Sequence, residues 1–112
     1  MSDTDTDYDF ISKLKIAIQY ESIETVTNTI NNYSNIQQIN INEQGEDGNT
    51  VLMIAARYST NEQVIQCLCD AFKDTININQ EDEDGNTALM IAAEHNRSEK
   101  VIQYLCETFK DT

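Results

Sequence analysis

Apolar positions along the chain fall into short helical stripes that come in pairs. Leu52, Ala55 and Ala56 stand at i, i+3 and i+4, one narrow stripe over about two turns. A second stripe follows, Val64, Ile65, Leu68 and Phe72, and it returns later as Val101, Ile102, Leu105 and Phe109. Thr50 and Thr87 precede the first stripe of each pair, where a hydroxyl caps a helix N-terminus. Asn61 and Ser98 hold the same place before the second stripe. Each is followed by an acid, Glu62 or Glu99, at the positive end of the helix dipole. The pattern predicts two helices per unit, of about nine and about twelve residues, too short to persist alone in water. An extended Asn/Ile segment and an acidic Asp-Gly turn complete the unit.

The units repeat. Asp47–Thr75 and Asp84–Thr112 align without a gap at an offset of 37 residues, and 19 of 29 positions are identical. Ile39-Asn40-Ile41-Asn42 and Ile76-Asn77-Ile78-Asn79 recur at the same offset. A fainter copy precedes them: Leu14-Lys15-Ile16-Ala17-Ile18 falls on Leu52–Ala56 after a shift of 38, and Val26 and Ile30 then fall on Val64 and Leu68. It lacks the Asp-Gly-Asn-Thr start. Three units are therefore expected, over about 9–44, 45–81 and 82–112. Residues 1–8, acidic and self-repelling, are expected to form an unstructured tail. Hairpins of this size bury their stripes only by stacking, so the fold expected is an all-α helical solenoid of helix-turn-helix repeats with short hairpin-like loops.

Composition narrows the function classes. With 112 residues there is room for one small domain. Twenty acidic residues against seven basic ones give a formal charge of −13. That charge argues against direct nucleic-acid binding and against docking on anionic membranes. Gly45, Gly48 and Gly85 are the only glycines, and neither GxGxxG nor GxxxxGK[ST] occurs. Cys67, Cys69 and Cys106 are odd in number and read as reduced thiols, which suits a cytoplasmic setting. Abundant Asn and Ile suggest an AT-rich genome; a viral or parasite origin would make that setting a host cytoplasm.

Gly48-Asn49-Thr50-Val51-Leu52-Met53-Ile54-Ala55-Ala56 and Gly85-Asn86-Thr87-Ala88-Leu89-Met90-Ile91-Ala92-Ala93 resemble the G-x-T-P-L-H-x-A-A start of the ankyrin repeat. Val51 and Ala88 replace that motif's Pro. Met53 and Met90 replace its His, which removes a side chain that helps tie down the Thr. The longer period places extra residues around Phe72–Ile76. The resemblance implies protein–protein recognition along the turn tips and the exposed face of the first helices. Carried over by position, that face comprises Glu46, Asp47, Asn49, Arg57 and Tyr58 in unit two and Glu83, Asp84, Asn86, Glu94 and His95 in unit three. The units differ at Arg57/Glu94 and Tyr58/His95 while their apolar positions agree, which suits recognition.

The partner expected is a basic protein, steered by the negative charge. An acidic mimic of nucleic acid, seated in a basic protein groove, is the alternative; a repeat fragment of a larger protein is another. Unit three repeats the apolar stripe where a polar outer face would close an array, so self-association through it is a further expectation.

No catalytic, cofactor or metal site is expected. His95 is the single histidine, and its counterpart is Tyr58. Cys67-Leu68-Cys69 lacks matched metal partners, and Cys69 and Cys106 are repeat equivalents that read as small buried apolar residues. Setting Gly85 at the sixth position of a calcium loop puts Gln80 first and Ile91 last, where acids are required.

Overall fold

The computed structural model describes residues 3–20, 22–33, 36–45 and 48–109 of the chain. Among these residues six α-helices form three hairpins: α1 (Asp3–Tyr20) with α2 (Ile23–Asn31), α3 (Val51–Tyr58) with α4 (Glu62–Ala71), and α5 (Ala88–His95) with α6 (Glu99–Phe109). First helices stack in the order α1, α3, α5, and second helices in the order α2, α4, α6. This is the stacked all-α architecture that the repeat implies. A 3₁₀ turn, Ile36–Gln38, follows the first hairpin. Among the described residues no helix is long and apolar enough to cross a membrane.

Helix α1 begins earlier than the repeat pattern. Residues 3–8, expected as an unstructured tail, continue the helix toward its N-terminus.

The caps form where the pattern placed them. The Thr50 hydroxyl accepts from Met53 N–H at 3.2 Å, and Thr87 does the same for Met90 at 3.4 Å. Asn61 Oδ1 accepts from Gln63 N–H at 2.9 Å, and Ser98 Oγ from Val101 N–H at 3.3 Å. In unit two the expected loss of a tether is made good. Thr50 N–H donates to Met53 Sδ at 3.4 Å, so a thioether completes the cap.

One core runs through the stack. Leu14, Ala17 and Val26 from unit one, Leu52, Ala55, Ala56, Ile65 and Leu68 from unit two, and Ile91, Ala92 and Leu105 from unit three are all buried in it. Alanine pairs let the first helices approach closely. The Asn/Ile tracts turn Ile39 and Ile41 inward and leave asparagines for the seams. Asn42 Nδ2 donates to Thr75 O (2.8 Å) while its Oδ1 accepts from Asn77 N–H (2.7 Å). Gln44 Nε2 donates to Glu81 O at 2.8 Å, and Gln80 Nε2 returns a bond to Gln44 Oε1 at 2.9 Å. The extra residues after α4 form a closed turn: Thr75 and Ile76 N–H both donate to Phe72 O.

Candidate functional site

The turn tips are built from glycine and aspartate. Gly48 and Gly85 sit at φ +76° and +83°, the left-handed region. Gly45 N–H donates to Asn49 O, and the equivalent Asp82 N–H donates to Asn86 O, closing each tip as a small hairpin. Asp82 Oδ1 accepts from Asn86 N–H and Asp84 N–H, both at 2.9 Å. The Asn86 bond above all, then that from Asp84 and the positive Arg57, holds the Asp82 carboxyl below the usual aspartate range. The Asp82 carboxylate thus serves the turn itself, and the Arg57 charge at the end of α3 acts on the same tip.

The ten residues expected to bind a partner fall into four groups. Glu46 and Asp47 lie outside the described residues. Asn49 and Asn86 are half-buried hairpin residues, and Lys15 Nζ reaches from unit one to Asn49 O at 2.9 Å. Glu83 and Asp84 are exposed, with Glu83 laid across Gly48 of the preceding unit, where a Cβ would meet its Cγ at 2.7 Å. Arg57, Tyr58, Glu94 and His95 end the first helices: Arg57 is half-buried, and the other three are exposed. His95 Nε2 stands 3.8 Å from Glu94 Oε2.

The structure adds one residue to the set. Tyr20 ends α1 at the position of Tyr58 and His95, and it is 79% exposed. The 38-residue offset that aligns unit one already marks it, but without the Asp-Gly-Asn-Thr start the unit contributed no candidates. Three exposed rings, Tyr20, Tyr58 and His95, therefore occupy one register position across the stack. Tyr58 also walls a surface groove of about 420 Å³ between units one and two, floored by Ile18, Ile23, Val26 and Val64. Ser59 lines that groove. One unit along, its equivalent is Asn96, which reaches back across the seam to Ala56 O and Ser59 O.

A family model described as ankyrin repeats (3 copies) matches residues 14–112. The chain belongs to the ankyrin-repeat family. The match includes the degenerate first unit and supplies the copy number that the stacked hairpins display. No curated protein and no solved structure matched the chain. Ankyrin repeats are generally protein–protein interaction modules and typically non-enzymatic. Cys67, Cys69 and Cys106 are free thiols; Cys69 is buried as its repeat position implied, but its equivalent Cys106 is exposed, because no further helix packs on that side of α6 among the described residues. Burial first, and the neighbouring Asp70 second, push Cys69 up to about 11. Among the described residues no group of three or more His, Cys, Asp or Glu is placed to hold a metal ion.

Proposed function

We propose that this ankyrin-repeat chain is a cytoplasmic protein-binding module that takes a basic partner. The partner lies along the turn tips and the ends of the first helices: Glu46, Asp47, Asn49, Arg57 and Tyr58, then Glu83, Asp84, Asn86, Glu94 and His95, with Tyr20 extending the row. One observation carries the reading. On a scaffold whose buried positions hardly change between units two and three, the exposed register position varies as Tyr20, Tyr58 and His95, and its neighbour as Arg57 and Glu94. A rigid stack presents those rings at fixed spacing and loses little entropy on binding. The net charge of −13 speeds encounter with a cationic surface. The free thiols fit a reducing compartment. Self-association through unit three belongs to the same reading.

The test is affinity capture from cytosolic extract at 50 and 500 mM salt. The wild-type chain is compared with a Tyr20→Ala/Tyr58→Ala/His95→Ala variant of unchanged helix content. Basic proteins retained at low salt, and lost both at high salt and with the variant, are the expected outcome. Retention of the same proteins by the variant refutes the face; salt-independent capture refutes the electrostatic part. Displacement of a captured protein by duplex DNA would identify the acidic mimic instead.

A further inference from the structure

Residues at equivalent repeat positions differ in exposure at the two ends of the stack, and the two differences are complementary. Met53 is 1% exposed between α1 and α5, whereas its equivalent Met90 is 52% exposed. Ala56 and Cys69 are buried, but their equivalents Ala93 and Cys106 are exposed. Gly48 is roofed by Glu83, while Gly85 has nothing within 4 Å of a Cβ position. Unit three thus presents, uncovered, the face with which unit two holds unit three. At the opposite end, Ile54 and Ile91 are 3% and 2% exposed, yet their equivalent in unit one, Ile16, is 51% exposed. Unit one thus presents, uncovered, the face by which each later unit is held.

We infer that the free face of unit three receives the free face of unit one of a second copy, so that chains join head to tail and continue the internal seam between copies. This rests on the proposed self-association and names its two surfaces and its polarity. Met90, Ala93 and Cys106 of one copy meet Ile16 and its α1 neighbours of the next, as the α3 and α5 faces meet inside the chain. The junction is weaker than the internal seam. Unit one carries no Asp-Gly turn to pair across the seam. A heterologous contact of this kind extends chain by chain and does not close into a dimer. Two chains of charge −13 also repel, so salt strengthens the junction. That sign is opposite to the one expected for a basic partner, and the two readings can fail separately.

The experiment is sedimentation equilibrium of the wild-type chain, Met90→Glu and Ile16→Glu over a range of concentrations at 50 and 500 mM salt. The wild-type mass is expected to rise with concentration, more steeply at high salt. Each variant alone stays monomeric, because one end is blocked, while their equimolar mixture forms a dimer and nothing larger. A wild type monomeric throughout overturns the inference. So does an Ile16→Glu variant that still associates, which would mean tail-to-tail pairing, or a mixture that stays monomeric. Both positions are half-exposed, so the fold tolerates the changes. Should either variant lose its helix signal, alkylation of Cys106 in the wild-type chain decides. A several-fold slowing at high concentration supports the junction, and an unchanged rate overturns it.

Discussion

Asn96 and Ser59 occupy the same position in consecutive repeats, and they touch. The Asn96 side-chain amide donates to Ser59 O at 2.6 Å and to Ala56 O at 2.9 Å. Those carbonyls end α3, where a helix leaves acceptors without internal donors. A buried side chain of unit three therefore caps the first helix of unit two. The stack is held by directed bonds as well as by apolar area.

Replacing Asn96 by Ala removes both bonds and buries two carbonyls without this donor. The expected cost is about 1–3 kcal/mol, or a fall in Tm of several degrees, read by thermal unfolding in circular dichroism. Asn96→Asp costs more, because a carboxylate then faces two carbonyl oxygens. An unchanged Tm for both would show that the seam does not depend on this contact.

Gly48 and Gly85 separate backbone strain from packing across the seam. Both sit at positive φ, so alanine at either is expected to cost on the order of 1 kcal/mol. At Gly48 the new Cβ also meets Glu83 Cγ at 2.7 Å and Cδ at 2.9 Å, whereas at Gly85 it meets nothing. Gly48→Ala is expected to destabilise the chain more in urea unfolding, and Glu83→Ala to recover the difference in the double variant. Equal costs at the two glycines would contradict the contact.

The thiols give a graded readout of the stack. Cys106 is exposed, Cys67 half-buried and Cys69 buried. Modification by a thiol reagent at pH 8 is expected in that order. For Cys69 the folded state favours the neutral thiol, raising its pKa from 9.0 to about 11. Its contribution to stability is complete below pH 9 and is lost as the pH rises through 11. At the acid end the sign reverses for Asp82, whose carboxyl is held low mainly by the Asn86 N–H. That contribution is present above the ordinary aspartate range and fades as the pH falls below it. Unfolding free energy measured from pH 3 to 11 should decline at both ends. Cys69→Ser is expected to flatten the alkaline arm.

The repeat offset alone placed the six helices' pairing, the four caps in units two and three and most of the core, because helical period and capping chemistry act locally. What escaped sequence reading depends on neighbours. Met53 and Met90 are the same residue in nearly the same local sequence. One is sealed and completes a cap through its sulfur, while the other lies open, because among the described residues α3 packs against both α1 and α5 whereas α5 packs against α3 alone of the first helices. Tyr20 was missed because unit one lacks the turn that marked the other faces. Glu83 shows the converse: a tip residue expected to greet a partner also covers a glycine of its own chain.

Native-state hydrogen exchange, followed amide by amide, tests the shared seam most directly. Nearest-neighbour stacking makes the unit with two neighbours the last to open. Slowest exchange is predicted at Leu52–Ala56 of α3, with protection falling toward α1 and toward α6. Maximal protection in either terminal hairpin, or three hairpins exchanging independently of one another, would contradict it.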